Sequence, residues 1–189
     1  MKDNCVVAER AEKVRKAISS GCRMLAIREH SEQQIRIKLI KKGFEREAID
    51  HCVDYLYDEN WLSEIRYCNA FIRARAGKGQ GLNRIASELQ GQNIDQTIID
   101  RQLELENINW QQVCESVLLK KMRPSLALLN APKLGLTQGY DDPFQTSLIE
   151  ITVKQKIKLE NFLRYRGFSV LEIKIAIKRY LLIEHQEFK

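Results

Sequence analysis

The sequence predicts an all-α chain of tandem three-helix repeats, three units in an elongated array. Two observations lead there. Apolar residues recur at helical spacing along most of the 189 residues. One supersecondary pattern also occurs three times, the signature of a repeat architecture. It is clearest when Phe44, Ile94 and Phe168 are aligned as anchors. The residue before each is Gly43, Asn93 or Gly167, types that enter the left-handed backbone region readily. Five positions earlier stand Leu39, Leu89 and Leu163, and nine earlier Ile35, Ile85 and Leu159. Five positions later stand Ile49, Ile99 and Ile173, and nine later Val53, Leu103 and Ile177. These apolar columns around one corner specify two short helices joined by a tight turn.

Taken in order, Val7, Ala11, Val14, Ile18 and Leu25 set a first helix ending near Arg28. A frayed Met1 to Val6 precedes it, and Ser19-Ser20-Gly21 predicts a break inside it. Ser31 caps the next helix, with Gln34 in the capping-box position and Ile35, Leu39 and Ile40 on one face. Gly43 turns the chain and Phe44 folds back as an apolar anchor. Ala48, Ile49, Cys52, Val53 and Leu56 form the continuous stripe of the following helix. Trp61 and Leu62 read as a packing plug, and both Trp61 and Trp110 as core rather than as base-stacking platforms. Ser63 opens a helix through Tyr67, Ala70, Phe71 and Ala74 that ends at Gly77-Lys78-Gly79-Gln80-Gly81. The second pair runs from Leu82 to Glu106, with Asp95 as an N-cap. Asn109-Trp110 echoes Asn60-Trp61, and a helix follows through Val113, Val117, Leu118 and Met122.

The third unit is interrupted. Anchors one and two are 50 residues apart and anchors two and three are 74 apart, an excess of 24. The extra residues fall between Arg123 and Lys154, where Pro124, Pro132, Gly135, Gly139 and Pro143 cluster. Leu126, Leu128, Leu129 and Leu134 predict that part of this insertion packs or forms a short helix, and Thr146 to Val153 alternates weakly, as an extended segment would. The third pair then spans about Gln155 to Glu184, with Ser169 and Glu172 as a capping box. The resulting units are 1–60, 61–108 and 109–189, with the insertion near 124–153.

No signal-peptide pattern opens the sequence and no apolar run approaches the ~20 residues of a membrane span. Five scattered cysteines, Cys5, Cys22, Cys52, Cys68 and Cys114, read as reduced cytosolic thiols packed like small apolar residues. His30, His51 and His185 lack metal-ligand spacing, so no metal and no cofactor are expected. No nucleophile–base or paired-carboxylate constellation recurs, which points away from an enzyme. Gly77, Gly79 and Gly81 around Lys78 lack the P-loop spacing and follow a helix, so they read first as a helix–helix corner.

The formal net charge is +6, which favours a polyanion or nucleoprotein partner mildly. Its distribution is more telling. Arg36, Lys38, Lys41 and Lys42 share one helix, and the next is acidic through Glu45, Glu47, Asp50, Asp54 and Asp58. Arg73, Arg75, Lys78 and Arg84 again precede an acidic stretch of Asp95, Asp100, Glu104 and Glu106. Lys174, Lys178 and Arg179 break that alternation in the third unit. The eight residues Arg36, Lys38, Lys41, Lys42, Arg73, Arg75, Lys78 and Arg84 are the candidate contacts for a partner or DNA, and a tight corner is expected to gather the last four.

The run His30-Ser-Glu-Gln-Gln-Ile-Arg-Ile-Lys-Leu resembles the start of the first repeat of the RecX family, regulators of the RecA recombinase. Trp61-Leu-Ser-Glu-Ile-Arg-Tyr-Cys-Asn-Ala-Phe-Ile-Arg-Ala-Arg, the Arg84-Ile-Ala-Ser-Glu-Leu run and Phe162-Leu-Arg-Tyr-Arg-Gly-Phe resemble it as well. The likeness covers roughly Ala17 to Ile183 apart from the insertion. It implies a cytoplasmic, non-catalytic protein that docks in the groove of the RecA–DNA filament and inhibits ATP hydrolysis and strand exchange; the chain is expected to be a monomer. Single-stranded DNA alone is expected to bind more weakly. Two departures stand out: Gly79-Gln80-Gly81-Leu82 replaces the Gly-Tyr-Gly-Pro common in the family, and the insertion is longer than expected. A three-helix unit also resembles a helix-turn-helix domain, so a direct DNA-binding regulator is the alternative, although recurrence suits a long groove better.

Overall fold

A computed structural model describes the backbone of residues 2–129 and 153–186 and the side chains of 8–122 and 153–180. Among the described residues there are nine helices and no strand. They are α1 (Lys2–Ile27), α2 (Glu32–Lys41), α3 (Arg46–Asp58), α4 (Glu64–Gly77), α5 (Leu82–Gln90), α6 (Gln96–Leu105), α7 (Trp110–Leu129), α8 (Val153–Tyr165) and α9 (Val170–Gln186). A lead helix followed by a short pair therefore occurs three times.

The pairs share one corner. The N–H of Phe44 donates to the Leu39 carbonyl, that of Ile94 to Leu89 and that of Phe168 to Leu163. One residue earlier, Gly43 donates to Ile40, Asn93 to Gln90 and Gly167 to Arg164, each at 2.9 Å. These paired bonds are the Schellman motif, which satisfies the last carbonyls of a helix through a left-handed residue. Gly43, Asn93 and Gly167 accordingly have φ of 82°, 59° and 93°. The apolar columns bury as their spacing requires. Ile35, Leu39, Ile85, Leu89, Ile99 and Leu163 are fully enclosed, and of the aligned set Phe44 and Leu103 are half-buried. Enclosing one such side chain contributes about 1.5–3 kcal/mol.

The caps divide. Ser31 accepts from the Gln34 N–H at 3.1 Å, Asp95 from Thr97, and Ser169 with Glu172 forms the reciprocal capping box. Gln34 does not complete a box, because its amide donates to the Tyr67 hydroxyl at 2.9 Å instead. Glu45 makes no cap bond and pairs with Lys13.

Several sequence expectations change. Helix α1 is unbroken at Ser19-Ser20-Gly21. Ser20 and Gly21 are buried instead: a Cβ on Gly21 would sit 3.1 Å from the Cys52 sulfur, so small residues here let α1 and α3 approach closely. The buried stripe of α1 is Ala17, Ser20, Gly21 and Met24, with Ala11 exposed. Ile40 is 62 % exposed, because α2 packs only on the side carrying Ile35 and Leu39. Leu62 is enclosed, but Trp61 stands half in solvent, so the plug is one residue and not two. Helix α1 begins at Lys2, inside the stretch expected to precede it. Helix α7 continues through Pro124 to Leu129, so the insertion begins as helix, while 130–152 lie outside the described residues together with most of the expected extended segment.

The chain divides into two compact units, Met1–Gly77 with Ile85–Ile108, and Lys78–Arg84 with Asn109–Lys189. The first is centred on Ile35, Leu39, Ile49, Cys52, Leu56 and Leu62, and the second on Cys114, Leu118, Leu159, Leu163, Phe168 and Ile177.

Candidate functional site

The basic side chain of Arg36 is already committed within the first unit. Its Nε lies 2.6 Å from Glu32 and its Nη1 2.5 Å from Asp50. The bond from Arg36 holds the Asp50 carboxyl below the usual carboxylate range against a smaller opposing effect of burial. Lys38 is engaged by a buried histidine. His30 Nδ1 lies 2.9 Å from the Arg28 carbonyl oxygen, which only accepts, so Nδ1 carries the proton. Nε2 is then an acceptor, and Lys38 Nζ donates to it at 2.6 Å. Burial lowers the pKa of both groups, and the Arg28 charge depresses both further. Lys42 donates to the Ser20 hydroxyl, and both Lys41 and Lys42 are exposed.

Arg73, Arg75, Lys78 and Arg84 are described by their contacts inside each compact unit. Arg73 and Arg75 fall in the first unit, Lys78 and Arg84 in the second. Arg73 pairs with Glu106 at 2.7 Å, and Arg75 pairs with Glu88 at 3.0 Å while lying 4.8 Å from the Phe71 ring centroid. Glu106 is only 11 % exposed, so Arg73 covers a carboxylate that water barely reaches.

In the second unit the glycine corner is built into the third pair. Gly81 N–H donates to the Arg166 carbonyl at 2.8 Å and Asn83 N–H to the Gly167 carbonyl at 3.1 Å. Arg166 returns the contact, donating to the Lys78 carbonyl at 2.9 Å and the Gly79 carbonyl at 3.3 Å. The corner is thus a structural joint, as its sequence suggested, with the Lys78 side chain exposed. Arg84 lies over the Tyr165 ring at 5.1 Å, and Arg166 and Lys121 lie over Phe162 at 5.2 and 5.4 Å. Arg166, Tyr165, Phe162 and Lys121 are absent from the sequence-derived set. For the three residues of the third pair the signal was charge density: residues 153–180 hold eight Lys or Arg against two Glu, an excess of six that equals the net charge of the whole chain.

Cys52, Cys68 and Cys114 are enclosed, and burial pushes their thiols up to about 11, 11 and 12. They behave as small apolar core residues. Among the described residues no group of three His, Cys, Asp or Glu side chains is placed to hold a metal, and no helix is long and apolar enough to cross a membrane.

Comparison with known proteins matches residues 17–56 to the first three-helix domain of RecX and 63–103 to the second. Regulatory protein RecX of Actinobacillus pleuropneumoniae serotype 5b is 33 % identical over 132 residues, covering 68 % of this chain and 87 % of the relative. Regulatory protein RecX of Yersinia enterocolitica is 27 % identical over 177 residues, covering 82 % and 92 %. The crystal structure of RecX from Lactobacillus salivarius superposes with a TM-score of 0.64 at 16 % identity, over 89 % of this chain and 97 % of that one, which is a likeness of fold.

Proposed function

Because the chain belongs to the RecX family, whose curated members are named regulatory proteins, we propose that it binds the RecA–single-stranded DNA filament and mainly inhibits it. The steps inhibited are ATP hydrolysis, strand exchange and filament growth. The protein acts without catalysis or cofactor, as a cytoplasmic monomer, and binds free single-stranded DNA more weakly. Its repeats are bounded at 1–60, 61–108 and 109–189. The observation that supports this reading most is the threefold recurrence of one lead helix, one pair and one Schellman corner. A repeated unit matches a partner that is itself periodic.

The contact set is Arg36, Lys38, Lys41, Lys42, Arg73, Arg75, Lys78 and Arg84. Basic side chains are drawn to phosphates and acidic protein groups, and each phosphate neutralised on a single strand contributes about 0.7 to the slope of log affinity against log salt. The test is DNA-dependent ATP hydrolysis by RecA with excess protein, which should slow. Full turnover would refute the reading. The variant Arg73→Ala, Arg75→Ala, Lys78→Ala and Arg84→Ala should bind filaments more weakly and with a shallower salt slope. Unchanged binding at two salt concentrations places the contact elsewhere, with Asp50, Asp54 and Asp58 next.

A further inference from the structure

Tyr165 ends α8 and is 76 % exposed, which is unusual for a large aromatic side chain beside a packed corner. Arg84 occupies one face: its guanidinium carbon lies 5.1 Å from the ring centroid, and its Nη1 donates to the Tyr165 carbonyl at 3.4 Å. The ring is therefore backed by a cation on one side and open to solvent on the other. The support is tied into the fold. Gly167 and Phe168 anchor the next residues in the core, and Arg166 is tied to the Lys78 and Gly79 carbonyls. The surrounding charge is positive, with Lys78, Lys121 and Arg164 all exposed.

We propose that Tyr165, backed by Arg84, is a stacking platform for an unpaired base of single-stranded nucleic acid, whose phosphates are met by the basic side chains around it. The chemistry selects this ligand. An open aromatic face offers a base a stacking surface without regard to sequence, and neighbouring cations follow the backbone. Bases inside a duplex are already stacked and do not present a face to such a ring. An acidic peptide would answer the charge but not the planar face. The inference deepens the filament-binding reading by naming a DNA contact in the second compact unit, and it fails separately from it, because the assay below contains no RecA.

The test measures binding of the full chain to a labelled oligo-dT and to a duplex of equal length. Tyr165→Leu should weaken oligo-dT binding at least about fivefold, the lower end for loss of one stacked base, with the salt slope retained. Tyr165→Phe should bind like the parent. Tyr165→Trp should bind as well, and its indole emission, above that of Trp61 and Trp110, should be quenched by oligo-dT. Arg84→Gln should lower both affinity and salt slope. The platform is refuted if the parent fails to bind oligo-dT at low salt, or if the Leu variant binds it like the parent. It is also refuted if single and double strands weaken equally, or if the new indole is not quenched. A Leu variant that binds oligo-dT normally but docks poorly on RecA filaments would assign the ring to a protein contact and overturn the proposal.

Discussion

Gly43 and Gly167 occupy equivalent corners, yet the same substitution should cost them different amounts. Both have positive φ, 82° and 93°, so a residue with a Cβ carries a left-handed penalty of about 1–2 kcal/mol at either site. At Gly43 that is the whole cost, because a Cβ there would meet nothing within 4 Å. At Gly167 a Cβ would lie 2.5 Å from the Arg84 backbone nitrogen, and backbone cannot move aside as a side-chain tip can. Overpacking adds about 1–3 kcal/mol. Gly43→Val should therefore lose about 1–2 kcal/mol, and Gly167→Val about 2–5 kcal/mol. Urea unfolding followed by circular dichroism measures both, with the slope against denaturant checked for a change in cooperativity. Equal losses would refute the close seating of the third corner against Arg84. A stabilising Gly43→Val would refute the left-handed corner itself.

Three further outcomes follow from side-chain geometry. His30 has a folded pKa below its ordinary value through burial, so the unfolded chain binds the extra proton; the first unit should lose stability as pH falls below about 6.5, and His30→Asn should flatten that dependence in pH-titrated urea melts. Arg73→Ala should destabilise the first unit by stranding Glu106, although isolated exposed charges matter little to folding, and Glu106→Gln in the same chain should restore much of the loss in a double-mutant cycle. At pH 8 the enclosed Cys52, Cys68 and Cys114 thiols should resist an aromatic disulfide reagent in the native protein and react promptly in denaturant; rapid native labelling of any of them would contradict their burial.

The repeat was legible because its defining constraint is local. A left-handed corner demands Gly or Asn, the Schellman bonds fix the apolar positions five before and at the anchor, and 3.6-residue spacing fixes the rest. Adjacent apolar residues were harder. Trp61 and Leu62 have equal claims to the interior by composition, and only tertiary contact decides: Leu62 donates its N–H to the Leu56 carbonyl and turns inward, while Arg66 holds the Trp61 carbonyl at 2.8 Å. Gly21 misled for a related reason. A glycine inside a helical pattern suggests a break, but beside Cys52 it permits close helix packing.

The basic residues were legible as a set and illegible as a surface, because ion pairing joins residues far apart in sequence. Arg36 meets Asp50, and Arg73 meets Glu106 across 33 positions, so each is partly neutralised by an acidic helix that charge alternation had assigned to an opposite side. The alternation along the sequence is consistent with pairing inside a repeat as much as with separate basic and acidic faces. The third repeat departs from it, since α9 is basic where its counterparts are acidic, and Lys174 and Lys178 have no acidic partner among the described residues. Arg179 of the same helix is paired with Glu115 at 2.7 Å. Positive charge without an acidic partner is the charge available to a polyanion, and, among the described residues, 153–180 hold more of it than the basic helix α2. Neutralising Lys174 and Lys178 together should therefore reduce the salt slope of oligonucleotide binding more than neutralising Arg36 and Lys38, whose charges are already held by Asp50, Glu32 and His30. The opposite order would return the main contact to the first repeat.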